Sequence, residues 1–218
     1  PGITVDVLEA TPCAAAAPAL ARLSWDAPKS VTRHARETLD ACGAAAAPAL
    51  ADAFAQGPDA AREILAERWA KLDPAHALPA ILEVVRTAPA NRRRSYRIAL
   101  GRVPNGAAGR DAIATFLAKA PGAAPGENDP VIELGRAIAS SPELGPLAAA
   151  LSNALLAHAG DTTAFERRWL AAQPLAELAA RGDAAALVWL RRLHTSPDRY
   201  LRARAAEVSG EVDALRPE

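Results

Sequence analysis

Small and apolar residues recur along this chain at helical spacing, with charged residues between them. In the segment SVTRHARETLDACG they occupy one face of a helix, at Val31, Ala35, Thr38 and Cys42. The segment YLRARAAEVSGEV repeats that spacing at Leu201, Ala205, Val208 and Val212. No window of strand length alternates apolar and polar residues, so the pattern predicts helices and no strands.

An alanine-rich octapeptide, AAAAPALA, occurs at residues 14–21 and again at 44–51, an offset of about 30 residues that indicates an internal repeat. Related segments follow, and their prolines form a series: Pro18, Pro48, Pro79, Pro146 and Pro174. The wide gap in this series is filled by a predicted helix at Asp111–Lys119, which has Ala112 in place of proline. Because the first turn of a helix tolerates proline, we expect each proline of the series near a helix start.

Helices of a second kind alternate with the alanine-rich ones. The first and last helices of this second kind are SVTRHARETLDACG and YLRARAAEVSGEV. Further helices of this kind are predicted between them, at Ala61–Leu72, Asn91–Val103, Val131–Ser140 and Ala164–Ala172. A helical pair every 30 residues or so predicts stacked hairpins, because one hairpin of this size cannot bury both its apolar faces alone. We therefore predict an all-α superhelix of about six or seven helical hairpins, forming one domain over residues 1–218. The proline- and glycine-rich segment KAPGAAPGENDP predicts an irregular loop at about 119–130.

The segment LRARAAEVSG resembles a helix of the HEAT-repeat family. With the alanine-rich helices that contain the sequence Pro-Ala-Leu or a relative of it, the resemblance covers nearly the whole chain. Asp40 and Asp73 echo aspartates of that family, although no regular ladder of aspartate and arginine is evident in the sequence. The resemblance implies a right-handed α-solenoid with alanine-rich helices on one surface and arginine-bearing helices on the other. Such an array presents a long curved surface, which suits a peptide or another domain. A tetratricopeptide array, the alternative, requires tryptophan, glycine and tyrosine at a spacing that is absent here.

The formal net charge is zero, with 25 basic and 25 acidic residues, so nucleic acid and anionic membranes are disfavoured as partners. No uncharged apolar stretch reaches the roughly 18 to 20 residues of a membrane span, and we expect a soluble protein without membrane insertion. The sequence begins at Pro1 and contains no methionine. We expect either a processed mature protein or a piece of a longer chain, cytoplasmic or exported.

Two cysteines, Cys13 and Cys42, are present. Equivalent positions of neighbouring repeats lie about 8 to 10 Å apart, beyond the usual Cα separation of a disulfide. We therefore expect two reduced, buried thiols that pack as small apolar groups. A disulfide formed in an oxidising compartment is the alternative.

The strongest local charge bias lies between Val84 and Arg110, where arginines occur without any acidic residue. The candidate partner-binding residues in this segment are Arg92, Arg93, Arg94, Tyr96 and Arg97. The planar guanidinium group suits phosphate and carboxylate, so an anionic partner is one hypothesis. The alternative, which we favour, is that these arginines face solvent or pair with acids of an adjacent repeat, such as Glu63, Glu67 or Glu133.

A second candidate interface surrounds Trp189 in the segment AALVWLRRL. This stretch is apolar nearly all round, so Val188, Trp189 or Leu190 must face outward or meet another chain. An exposed tryptophan beside Arg191 and Arg192 would suit a protein interface.

Motifs of common enzyme classes are absent: the sequence has no HExxH, no Cys-x-x-Cys and no GxSxG, and its four histidines are scattered. We expect no catalytic residues, no metal site and no cofactor, and we disfavour a small-molecule substrate. The predicted function is a non-catalytic protein-binding or scaffold module whose partner is another protein or peptide. One alternative is nucleic-acid binding or a HEAT-like DNA glycosylase, for which Glu67, Arg68 and Trp69 offer the residue types. Another is a structural module of a larger protein.

Overall fold

The computed structural model describes residue 8, residues 11–120, residues 128–159, residues 165–210 and residue 212. Within these ranges the chain is all-α and contains no strand, as the sequence pattern predicts. Its α-helices are α1 (Cys13–Leu23), α2 (Lys29–Cys42), α3 (Ala47–Gln56), α4 (Asp59–Leu72), α5 (Pro74–Thr87), α6 (Ala90–Leu100), α7 (Ala107–Ala118), α8 (Pro130–Ile138), α9 (Leu147–Ala159), α10 (Phe165–Ala180), α11 (Ala184–His194) and α12 (Arg199–Ser209).

Two compact units divide the chain. The first comprises Pro1–Ile81 and Pro89–Val103, and the second comprises Leu82–Ala88 and Pro104–Glu218. The prediction of one domain over residues 1–218 therefore stays a prediction. Most of the loop predicted at 119–130 lies outside the described residues. Helix α7 ends at Ala118 and helix α8 begins at Pro130.

Sequential helices in the first unit form hairpins, and alternate helices lie side by side. Helix α1 packs against α2, and α3 packs against α4. In addition, α1 lies beside α3 and α4 lies beside α6. The sequence pattern explains this arrangement, because each hairpin keeps an apolar face that only the next hairpin can cover.

Leucine, alanine and three aromatic residues fill the core of the first unit. Leu20 and Ala21 of α1 are fully buried, and alanine at such positions lets the helix axes approach closely. The ring of Phe54 lies 5.1 Å from that of Trp69 and 6.5 Å from that of Tyr96, measured between centroids. These three rings connect α3, α4 and α6 in a chain otherwise poor in aromatics.

The second unit repeats the same scheme. Helix α9 packs against α8 and α10, and α11 packs against α10 and α12. Alternate helices again meet: α7 with α9, α8 with α10, α9 with α11 and α10 with α12. The buried residues Ala172, Leu193, Leu201 and Ala205 form a core cluster at the C-terminal helices.

Polar contacts join helices to the ends of other helices about one repeat away in sequence. In the first unit, Glu67 accepts a hydrogen bond from Arg102 at 3.0 Å, over a separation of 35 residues. In the second unit, Asp183 accepts one from Ser152 at 3.0 Å, over 31 residues. Regular acid-to-donor contacts of this kind were not evident in the sequence, because donor types differ from one repeat to the next.

The positions of the prolines correct one expectation. Pro48 lies in the first turn of α3, as predicted, whereas Pro18, Pro79 and Pro174 lie inside α1, α5 and α10. Helix-forming residues precede these internal prolines and extend each helix backward. Helix α10 begins at Phe165, covers the described part of the predicted helix Ala164–Ala172 and continues past Pro174, so the alanine-rich partner in this pair is α11.

Cys13 and Cys42 form a disulfide, which corrects the expectation of two reduced thiols. Cys13 is the first residue of α1 and Cys42 is the last residue of α2. The two helices of a hairpin run in opposite directions, so these ends lie together, with Cα atoms 5.4 Å apart. The expectation was wrong because it treated the cysteines as equivalent positions of two repeats, whereas they belong to one hairpin.

Gly135 of α8 marks a close approach between helices. A Cβ atom at this position would lie 2.8 Å from Cδ2 of Leu155, which is fully buried in α9. We expect Gly135→Ala to lower the free energy of unfolding by about 1 kcal/mol, because overpacking of roughly 1 to 3 kcal/mol exceeds the gain in helix propensity. Urea denaturation measures this difference.

Gly106 provides the matched control for that substitution. It precedes α7, and nothing lies within 4 Å of a Cβ atom built there. Gly106→Ser adds a Cβ atom in open space at the N-cap of α7, where serine and glycine differ by a few tenths of a kcal/mol, so it should change the free energy of unfolding by less than about 0.5 kcal/mol. A Gly135→Ala variant as stable as the parent would show that α8 and α9 are not in close contact.

Candidate functional site

The arginine-rich segment lies mainly on α6, and acids of α4 neutralise much of it. Arg92 contacts the carboxylate of Asp59, and its Nε atom lies 3.7 Å from Oε1 of Glu63. Arg102 pairs with Glu67 at 3.0 Å, and Arg93 and Arg97 also have interaction partners. These acidic residues lie on the neighbouring helix α4. A segment without acidic residues in its own sequence therefore has acidic residues beside it in the structure.

Tyr96 is only 1% exposed, so it is not available at a binding surface on α6. Burial, followed by the negative charges of Glu63 and Asp59, raises the pKa of its phenol above the ordinary value. Arg94 is exposed and has no ion-pair partner among the described residues. Of the five candidate residues, Arg94 is therefore the one that best fits the hypothesis of an anionic partner. Glu133, proposed as a partner acid, pairs with Arg136 at 2.9 Å.

The structure also revises the second candidate interface. Trp189 is half-buried and packs against the core cluster of α10, α11 and α12. Val188 is exposed at 46%, while Leu190 is fully buried. Arg191 and Arg192 are exposed, as predicted for a surface. An exposed tryptophan is therefore not part of this face.

A surface that the sequence did not single out lies between α1 and α3. It is an open groove of about 580 Å³, which we call the α1–α3 groove. Its lining is mainly small, proline or aromatic, with a few polar groups: Pro18, Arg22, Trp25, Asp26, Ala49, Asp52, Ala53, Gln56, Gly57 and Pro58. The side-by-side packing of these two helices creates the groove on their exposed faces.

The loop that follows α1 holds Trp25 at the edge of the α1–α3 groove. Arg36 of α2 donates two hydrogen bonds to the carbonyl oxygen of Ser24, at 3.0 and 2.7 Å. The buried hydroxyl of Ser24 donates to the carbonyl oxygen of Ala21 at 2.6 Å. These bonds fix the backbone immediately before Trp25, whose side chain is half-buried.

The charged groups of the α1–α3 groove differ in how they are paired. Arg22 and Asp26, one turn apart, form an exposed ion pair of 3.5 Å. Asp52 of α3 is exposed and makes no hydrogen bond or ion pair with any described residue. The groove therefore presents an aromatic ring and an uncompensated carboxylate to solvent.

A buried acid–histidine pair lies in the second unit. Nδ1 of His158 donates to Oδ2 of Asp129 at 2.7 Å, and Asp129 also accepts from the backbone N–H groups of Val131 and Ile132. Such a pair has the residue types of a general base and its orienting group. Both side chains are almost completely buried, however, and the pair caps α8, ties α9 to it and does not face solvent.

Among the residues described, no three His, Cys, Asp or Glu side chains are placed to hold a metal ion. No helix in the described ranges is long and apolar enough to cross a membrane. The chain matches no protein-family model and no curated protein.

Proposed function

We propose that this protein is a non-catalytic module that binds another protein or a peptide, built as a HEAT-like α-solenoid. The α1–α3 groove carries the proposal, because it is open, mainly apolar and lined by helices one repeat apart. The packing of alternate helices in each unit, with polar contacts over 29 to 35 residues, supports a repeat architecture. Surfaces of this kind suit an extended chain better than a small molecule.

The surroundings of the arginines argue against nucleic acid as the partner. Binding to phosphates needs cations that can release their counterions, whereas Arg92 and Arg102 are already paired with carboxylates. The positions of Trp69 and Arg68 also argue against the DNA glycosylase alternative. Trp69 is 5% exposed and packs on Phe54, and Arg68 lies 3.4 Å from Asp40, so neither is placed to hold a flipped base.

We also propose that the protein functions in an oxidising compartment. The disulfide between Cys13 and Cys42 supports this, because such bonds persist outside the reducing cytosol. An exported protein is therefore favoured over a cytoplasmic one. Quantification of free thiols in protein isolated from its source tests the proposal, and two free thiols per chain would contradict it.

Affinity capture with the intact chain as bait tests the binding proposal. The capture is performed from an extract of the source organism at roughly 50 mM and 200 mM salt, a range over which nucleic-acid binding falls steeply. We expect a specific protein at both concentrations. Nucleic acid at low salt alone would support the nucleic-acid alternative, and an empty capture would favour a purely structural module.

A further inference from the structure

We propose that the α1–α3 groove recognises an arginine or lysine side chain of an extended peptide, which Trp25 and Asp52 hold together. This inference rests on the proposed protein-binding function and names the chemistry of the partner. It is carried by the half-buried Trp25 ring and the unpaired Asp52 carboxylate, which line one open groove. Neither residue was singled out as a site from the sequence.

The two groups supply complementary attractions to a cation. The face of an indole ring attracts a guanidinium or ammonium group, and tryptophan is the best aromatic residue for this purpose. A carboxylate adds a charge-assisted hydrogen bond. Among the described residues that line the groove, the cation Arg22 is paired with Asp26, so its charge is offset locally and Asp52 leaves this lining with a net negative charge.

The rest of the lining fits a peptide on either side of that cation. Pro18, Ala49, Ala53 and Pro58 supply small apolar surface along the groove, and Gln56 supplies an amide that can bond to a peptide backbone. A phosphate backbone is disfavoured, because the unpaired Asp52 would repel it. A partner of complementary charge is therefore a basic peptide segment.

Three synthetic pentapeptides test this inference: acetyl-Gly-Pro-Arg-Pro-Gly-amide, its lysine counterpart, and a citrulline counterpart that keeps the shape of arginine without its charge. Each is titrated into the full chain while the indole N–H resonances of the tryptophans are followed by NMR. The Trp25→Phe variant identifies the resonance of Trp25. We expect the arginine and lysine peptides to shift that resonance, and the citrulline peptide to bind about fivefold more weakly or not at all.

Charge-removing variants of two exposed aspartates complete the experiment. Asp52→Asn should weaken the arginine peptide about fivefold, since the carboxylate is lost and the amide keeps the shape. Asp111→Asn is the matched control, because Asp111 is exposed on α7 and has no ion-pair partner among the described residues. It should leave affinity unchanged.

N-methylguanidinium is titrated as a fourth ligand, and four results of these titrations overturn the inference. These are equal binding of the citrulline peptide, unchanged binding to Asp52→Asn, a response confined to other tryptophans, and N-methylguanidinium binding as tightly as the arginine peptide. The last would make this a site for small cations and not for a peptide. A protein partner whose affinity is insensitive to Asp52→Asn would overturn the inference while leaving the protein-binding function standing.

Discussion

Replacing Cys13 and Cys42 together with serine is expected to lower the free energy of unfolding by about 3 kcal/mol. The disulfide joins residues 29 apart and closes a loop that includes both helices of the first hairpin. The cross-link restricts the unfolded chain, and the restriction grows with the logarithm of loop length. An effect of this size is a large part of the stability of a typical domain.

Urea denaturation under oxidising and reducing conditions measures this effect. The parent protein in reductant should unfold at the same urea concentration as the double serine variant without reductant. The variant itself should not respond to reductant, which makes it the control for other effects of the reagent. Equal stability of the oxidised parent and the variant would contradict a disulfide between α1 and α2.

Asp129→Ala is expected to lower the free energy of unfolding by about 3 kcal/mol. The substitution removes an N-cap, which contributes roughly 1 kcal/mol, and leaves the buried imidazole of His158 without its acceptor, which costs about 1 to 3 kcal/mol. Asp129 and His158 are 1% and 5% exposed, so water cannot replace the lost bond without a rearrangement. Urea denaturation near neutral pH measures the loss.

The acid dependence of stability gives a second measurement on the same pair. Burial acts to raise the pKa of Asp129, but its hydrogen bond from His158, the charge of that residue and two backbone donors prevail, so the pKa lies below the ordinary value. A carboxyl with a lowered native pKa stabilises the fold above its unfolded pKa of about 4, and that contribution is lost as pH falls further.

Asp129→Asn should therefore remove part of the acid sensitivity, because the amide keeps the shape and one acceptor but does not titrate. The difference in unfolding free energy between parent and variant should be greatest near pH 7 and shrink below about pH 4. Asp111→Asn, on the exposed face of α7, serves as the control and should follow the parent. A constant difference between parent and Asp129→Asn over this range would contradict a lowered pKa.

The existence and kind of most helices could be predicted from sequence because helical periodicity depends on residues close together in the chain. The predicted helix Ala61–Leu72, for example, is observed as α4, Asp59–Leu72. Helix starts were harder to place. The cost of an internal proline at Pro18 or Pro174 is outweighed where surrounding residues favour the helix, and this balance depends on packing that local sequence does not show.

The candidate site depended on contacts that periodicity does not report. In the sequence Arg92 lies in a segment without acidic residues, yet the acidic residues that pair with it lie on a helix one repeat earlier. The suggestion that Glu63 and Glu67 pair with this segment is confirmed, because a repeat places equivalent helices side by side. The α1–α3 groove had no comparable signal, since its Trp25 and Asp52 lie on different helical pairs and only the packing brings them to one surface.

Site-specific photo-cross-linking tests the protein-binding proposal most directly. A benzophenone amino acid is placed at Ala53, which lines the α1–α3 groove, and in a separate protein at Ala150, an exposed position of α9. After irradiation in an extract of the source organism, the account predicts a discrete protein adduct from position 53, abolished by excess unlabelled protein, and none from position 150. No adduct from position 53, or equal adducts from both positions, would contradict it.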